Sequence, residues 1–329
     1  MLSMKEKVIF LVGPTGVGKT KVSIELAKRV NCEIICCDSM QVYKGMDIIS
    51  CKISESIRKK IPHHLIDIVS VEEEFNVADW VDLALKSIRD IHRRGNIPLV
   101  VGGSMLYFSC LLDGIFILPW NTRKKSFRLE TRFIRDSLYE EAEKFGKEFL
   151  YRRLERVDPI ATEKIHPNDL RRIIRALEVY ETYQTPISVL QRNRKGITGL
   201  YDTKIYGLDQ KRERLYEKID RRTEKMFGDG LIEEIETLLR LNLSKTAIQV
   251  IGIKEIKGYL EGRYTLEETK HLISKKTRNY ARRQMSWLRK DKRIEWIEIQ
   301  DSDDEKSIAE KILNLDEQVE SFYNSDCSS

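Results

Sequence analysis

At 329 residues, 41% hydrophobic and 33% charged, the chain has the composition of a soluble globular protein, with room for two domains or one domain carrying an insertion. The 58 Lys and Arg and 52 Asp and Glu leave a net charge of +6, but residues 298–329 hold ten acids and two lysines, so the body is more basic than the total. Six cysteines (Cys32, Cys36, Cys37, Cys51, Cys110, Cys327), with no CxxC pair and no histidine at zinc spacing, exclude a disulfide framework and a structural zinc and fit a reducing cytoplasm.

The N-terminal apolar run is too short for a signal peptide. It reads instead as a buried parallel strand at 8–12, and Val22, Leu26 and Val30 then recur at helical spacing. Between them Gly13-Pro14-Thr15-Gly16-Val17-Gly18-Lys19-Thr20 fits GxxxxGK[ST] in the strand–turn–helix context that the motif requires. Glycines let backbone N–H groups curl inward, the helix N-terminus adds partial positive charge, and Lys19 adds a full one. Thr20 is the expected Mg²⁺ ligand. A di- or triphosphate is the expected ligand, and the motif alone does not say which.

A second strand at 33–37 runs into Asp38-Ser39-Met40-Gln41. Residues just past strand C-termini face the ligand crevice of a doubly wound sheet, which places Asp38 near the phosphate cradle; a turn cap is the alternative. His63 and His64 open a third strand at 62–67 as edge residues, too few for a metal site. Residues 76–94 read as an amphipathic helix closed by Gly95-Asn96. Residues 97–120 are nearly free of charge over a membrane-spanning length, but Pro98, Gly102-Gly103 and Asp113 break them into strand, turn and helix, so no membrane span is expected. The strand there ends in Gly102-Gly103-Ser104, where a motor ATPase would place a magnesium-binding aspartate. The glycines are expected to admit a substrate or pyrophosphate close to the backbone, and Ser104 to offer a hydroxyl at the start of a helix at 105–112.

From Pro119 the pattern turns basic and helical, with Arg123, Lys124, Lys125, Arg128, Arg132 and Arg135 in close succession. His166-Pro167-Asn168-Asp169 caps a helix whose Arg171, Arg172 and Arg175 lie opposite Ile173, Ala176, Leu177 and Tyr180; the arginines form a ligand-facing stripe or a solvated face. A strand returns at 203–208, followed by helices at 214–227 and 231–241 split by Gly228-Asp229-Gly230. A further helix carries Lys275, Lys276, Arg278, Arg282, Arg283, Arg289 and Lys290 with Tyr280 and Trp287 between them. Cations that displace phosphate counterions and rings that stack on unpaired bases make this a nucleic-acid footprint. A last strand at 293–299 and one solvated acidic helix at about 305–322 complete the chain. The expected fold class is α/β: a P-loop NTPase-like parallel-sheet core in two parts (1–118 and 203–300), a helical insertion domain (119–202) and an acidic C-terminal segment (301–329).

Taken in order, GPTGVGKT, DSMQVYKGMDI, PHHLID, IPLVVGGSMLYF, HPNDLRRIIRALEV, MFGDGLIEEI and TRNYARRQMSWLR resemble the tRNA dimethylallyltransferase (tRNA isopentenyltransferase) family over about residues 7–296. The first motif is widespread; the DSxQxYxGxDI, VGGSxLY and HPND…RALEV set is specific to this family and its close relatives. The resemblance implies transfer of the five-carbon group of dimethylallyl diphosphate to N6 of the adenosine 3′ of the anticodon, with Mg²⁺, by a cytoplasmic monomer. It implies that the phosphate loop (residues 13–20) and Arg278 hold the diphosphate, and that Asp38 accepts the N6 proton beside Ser104, which stands where the family usually has threonine. Asp38, Ser39, Met40, Gln41, Ser104, Ser126, Arg171, Arg172, Arg175, Arg282 and Arg283 are its implied tRNA contacts. Ser126 stands where the family often has arginine, so Lys125 or Arg128 would have to supply that contact. Ile253 replaces a commoner aromatic in IGxKE, and no zinc finger of the kind found in some eukaryotic members follows. The rivals are a prenyltransferase of free adenine nucleotides, a P-loop ATPase or kinase, and an RNA-binding module with a vestigial site.

Overall fold

The computed structural model describes residues 5–115, 125–192 and 194–315, with the backbone alone for 125–130. The chain opens with β1 (Lys7–Val12), α1 (Lys19–Arg29), β2 (Cys32–Cys37), the single turn α2 (Glu55–Arg58), β3 (His63–His64), α3 (Val77–Arg93), β4 (Ile97–Gly102) and α4 (Met105–Asp113). Helices α5 (Lys125–Phe145), α6 (Lys147–Val157), α7 (Pro159–Thr162), α8 (Leu170–Tyr183) and α9 (Ile187–Arg192) follow. The chain returns through β5 (Asp202–Gln210), α10 (Arg212–Gly228), α11 (Leu231–Leu239), α12 (Ile253–Leu260), α13 (Leu266–Leu288), β6 (Glu295–Ile299) and α14 (Glu305–Leu315).

The six strands form one sheet in the order β3-β2-β4-β1-β5-β6, every pair parallel. Parallel strands need helical crossovers that cover both faces, which is why β2 and β4 are buried at every position and β1 at all but its first. Gly102 is in register with both Val12 and Cys37. Residues 13, 38 and 103 therefore leave the sheet side by side at its carboxyl edge, where doubly wound sheets bind ligands.

Contacts divide the chain into two units, Met1–Leu112 with Ile197–Ser329 and, separately, Asp113–Gly196. The insertion boundary expected at 202 moves, because Asp202 already pairs with Lys7 in the sheet. The second unit contains helices and turns and no strand among its described residues, and it packs Leu138, Leu150, Leu154, Ile173, Ile174 and Leu177 into its own core. Asp169 caps α8 as its sequence predicts, accepting from the Arg172 N–H.

Two expectations for the sheet unit need correction. The acidic segment at 305–315 is not a solvated helix: Ile308, Ala309 and Ile312 of α14 are buried in the cluster that contains Leu26 and Val30. Its acids keep to the outer face, where Glu305 pairs with Lys21 at 2.8 Å. Residues 316–322 of the expected helix lie outside the described residues. The third strand is only two residues long, and His64 has a specific partner, since it hydrogen-bonds Glu33 at 2.6 Å.

Glu33 is 4% exposed and also accepts from Arg94 (2.8 and 2.7 Å) and Asn96 (2.8 Å), so it ties β2 to the end of α3. Burial alone would raise its pKa, but the hydrogen bonds from Arg94, Asn96 and His64 outweigh burial and carry it down to about 2. A depressed folded-state pKa adds stability that is complete above the ordinary carboxylate range and is lost as pH falls through the folded value. Between about pH 4.5 and about pH 2 this amounts to on the order of 3 kcal/mol. The urea midpoint of the wild type should therefore fall faster than that of Glu33→Gln from about pH 5 to about pH 3. Parallel curves would show that Glu33 does not drive acid unfolding.

The loop after Asp38 is fastened from α11. The Glu234 carboxylate accepts from the successive N–H groups of Asp47, Ile48 and Ile49 at 2.9, 2.7 and 2.9 Å. The Lys52 ammonium, buried beneath it, donates to Tyr43 O, Asp47 and Asp67.

Candidate active site

The phosphate loop springs from β1 into α1. Gly13 and Gly16 have φ of 150° and 86°, and a Cβ on either would lie 2.9 Å from Leu208 O or from the Ile219 side chain. Only glycine meets both the conformation and the close packing. Helix α1 begins at Gly18 without a side-chain cap, which leaves its first-turn amides for an anion. Pro14 and Val17 are buried, Val17 in the core, so the loop rests on the sheet unit as a fixed cradle.

Lys19 is part-buried, and its Nζ donates to Gly13 O and Pro14 O, both at 2.9 Å. Burial pushes its pKa down to about 8; the negative charge of Asp38 opposes this and the positive charge of Arg222 adds to it. Thr20 is exposed at the end of the loop. Among the described residues no cluster of three or more His, Cys, Asp or Glu could hold a metal ion.

Asp38 leaves β2 toward this loop. Its Oδ1 accepts from the Met40 N–H at 2.8 Å, so it caps its own turn while its charge acts on Lys19. The turn cap is thus present in a residue that also stands near the phosphate loop. Ser104, 7% exposed, accepts from the Ser39 N–H at 3.0 Å, which joins the ends of β2 and β4. Gln41 is held by Cys36 and by Ser50 O at 3.2 and 3.1 Å.

The glycine pair after β4 is closely packed. A Cβ at Gly102 would lie 2.0 Å from Cys37 O, and one at Gly103 would lie 2.3 Å from Gln284 Nε2 and 2.9 Å from Gly13 O. Packing of protein on protein by itself demands these glycines.

Helix α13 brings residues that sequence reasoning passed over. Gln284, 2% exposed, accepts from the Thr15 N–H at 2.8 Å and donates to Gly103 O at 2.7 Å. One turn earlier Tyr280, read from the sequence as a stacking ring, faces Ser104, and burial together with the charge of Asp38 pushes the phenol up to about 12. Arg222 of α10 was also missed. It stands near enough to Lys19 to lower its pKa, and its buried Nε has no hydrogen-bond partner among the described residues. Ile219, one turn before it, is the residue that packs on Gly16. No sequence signal marks it, because the contact between Ile219 and Gly16 that places it is tertiary.

Arg278, expected on the diphosphate, donates to Asp220 at 2.6 Å instead, with the Tyr216 ring 5.8 Å away. Lys276 is paired with buried Glu255, and Arg289 with Asp209 at 2.9 Å. Arg282 and Arg283 are exposed on α13. In the helical unit Arg171 and Arg172 are exposed, the latter 3.3 Å from Asp169. Arg175 pairs at 3.2 Å with buried Glu178, which Arg135 also grips at 2.8 Å, so part of the basic stripe is structural. The side chains of Ser126, Lys125 and Arg128 lie outside the described residues.

A family model described as IPP transferase matches residues 41–291, well over half of the chain. The chain belongs to the IPP transferase family. It is 44% identical over 311 residues to the tRNA dimethylallyltransferase of Carboxydothermus hydrogenoformans, covering 94% of this chain and 97% of that one. Among solved structures it is similar to the tRNA isopentenylpyrophosphate transferase of Bacillus halodurans, at 37% identity and a TM-score of 0.67, over 98% of this chain and 99% of that one. A eukaryotic dimethylallyltransferase acting on tRNA superposes with a TM-score of 0.81 at 32% identity, over 96% of this chain and 80% of its own. The IPP transferase resemblance read from the motifs and the P-loop α/β class both hold. No described helix is long and apolar enough to cross a membrane.

Proposed function

We propose that the protein transfers the dimethylallyl group of dimethylallyl diphosphate to N6 of the adenosine 3′ of the anticodon of tRNA, releasing diphosphate. The observation that carries this reading is the convergence of Lys19, Asp38 and Ser104 at one sheet edge, with glycine and serine where a nucleotide hydrolase needs an aspartate after β4. A diphosphate fits the cradle of residues 13–20, and Lys19 and Arg222 supply positive charge to the leaving group as the allylic carbon becomes cationic.

The adenine N6 is a poor nucleophile because its lone pair is delocalised. As that lone pair forms the bond to the allylic carbon, the carbon–oxygen bond breaks and its electrons depart with diphosphate. Asp38 takes the N6 proton, and the Ser104 hydroxyl stands beside it to orient the base. The Thr20 hydroxyl together with diphosphate oxygens fits Mg²⁺, which favours phosphate and water over an all-protein cage and would neutralise charge on the leaving group. The adenosine must leave the stacked loop, at a cost of a few kcal/mol. Ser39, Met40, Gln41, Arg282 and Arg283, with Arg171 and Arg172 of the helical unit, are assigned to the anticodon stem-loop. Arg278 and Arg175 take part only if RNA or diphosphate draws them from Asp220 and Glu178. The enzyme is assigned to the cytoplasm as a monomer.

Incubation with tRNA, dimethylallyl diphosphate and Mg²⁺, followed by mass spectrometry of the anticodon-loop nucleosides, tests the reaction. Prenylation of AMP in preference to a stem-loop would favour the free-nucleotide reading, and release of γ-phosphate from ATP the kinase reading. RNA affinity should also be strongly salt-dependent. Replacing Arg282 or Arg283 by alanine should lower the slope of log affinity against log salt by about 0.7 to 0.9, the contribution of one phosphate contact. An unchanged slope for both would make that face of α13 merely solvated.

A further inference from the structure

Helix α13 has two faces with different tasks. Its inner face meets the site at one-turn intervals: Tyr280 faces Ser104 and Asp38, Gln284 bonds both Thr15 N–H and Gly103 O, and Trp287 packs edge-on against Phe108 at 5.9 Å. Its exposed side presents Arg282 and, at the border of the two faces with its guanidinium 5.8 Å from the Tyr280 ring, Arg283, the two residues just before Gln284. The Thr15 amide lies in the middle of the phosphate loop, in a motif whose amides ordinarily face the anion. Here its direction is set by a side chain 269 residues away, and that side chain is buried, neutral and satisfied at both ends.

We propose that Gln284 is a positioning residue that joins the RNA-facing helix to the phosphate loop, so that RNA held on α13 and diphosphate held in the loop strengthen each other's binding. This rests on the proposed function for the identity of the two ligands. The geometry gives the coupling a direct hydrogen-bonded route through this residue. Any shift or stiffening of α13 on contact with RNA phosphates acts on Gln284 Oε1 and so on the Thr15 N–H, while Nε2 carries the same displacement to Gly103 beside Ser104. Linkage makes the effect reciprocal: a factor gained by diphosphate in the presence of RNA is gained by RNA in the presence of diphosphate.

The test titrates inorganic pyrophosphate with Mg²⁺ into the full-length protein, alone and saturated with an anticodon stem-loop RNA. The wild type should bind pyrophosphate about fivefold or more tightly with RNA present. In Gln284→Met, which keeps the volume and removes both hydrogen bonds, that ratio should fall to near one. A residue that served only stability would lower the melting temperature and leave the ratio intact. Gln284→Glu retains the acceptor for Thr15 N–H and loses the donor to Gly103 O, and should keep an intermediate ratio. Should neither variant fold, the wild type still decides: RNA alone should slow hydrogen exchange of the peptide containing Thr15, and unchanged exchange would overturn the inference. So would a wild-type ratio of one when both ligands bind, or an unaltered ratio in Gln284→Met. Absence of any pyrophosphate binding would count against the proposed function instead.

Discussion

Asp38→Asn is expected to slow single-turnover prenyl transfer by roughly 10²- to 10⁴-fold, the range for a positioned acid–base group, while RNA affinity stays nearly unchanged. Asparagine keeps the shape, can still accept the 2.8 Å hydrogen bond from the Met40 N–H, and so preserves the turn. It cannot take a proton at neutral pH. The variant also removes the negative charge that opposes the depression of the Lys19 pKa. The charge change acts on diphosphate binding as well as on the chemical step, which is why the rate is to be measured at saturating donor. Near-normal turnover would reduce Asp38 to a turn cap, because asparagine caps as well as aspartate.

Lys19→Ala should lower kcat/KM by about 10²- to 10³-fold, as loss of one preorganised donor to a developing anion does elsewhere. Lys19 is also the source of a pH dependence. Burial holds its pKa at about 8, and an incoming diphosphate favours the charged form, so binding is accompanied by proton uptake wherever the free lysine is neutral. The affinity for dimethylallyl diphosphate should therefore be flat below about pH 8 and fall by up to one log unit per pH unit above it. Lys19→Arg stays charged throughout this range and should flatten the profile even if it binds less well. A falling limb that survives in the arginine variant would have to be assigned to another group. Isothermal titration in two buffers of different ionisation heat gives the proton count directly.

The parts of this protein written in its sequence are those whose chemistry is local. The phosphate loop is eight consecutive residues between a strand and a helix, and its glycine conformations follow from that contiguity. The Asp169 cap, the buried β1, β2 and β4, and the placement of Asp38 at a strand end likewise depend on near neighbours and on the period of apolar residues. Family-specific motifs then supplied a reaction that no spacing contains. What only the tertiary structure decided is which distant side chains reach the site. Gln284 is 269 positions from Thr15 and looks in sequence like one more polar residue in an arginine-rich helix, yet it is 2% exposed and orients the loop. Arg222 drew no reading from the sequence and Arg278 was expected on the diphosphate; packing of Ile219 on Gly16 sends the first toward Lys19, and the second pairs with Asp220. Gly102 and Gly103 read as room for a substrate, and the fold packs Cys37 O and Gln284 against them. The acids of α14 concealed the apolar stripe of Ile308, Ala309 and Ile312, because net composition reports a segment's average while burial is decided by one face of a helix against a neighbour.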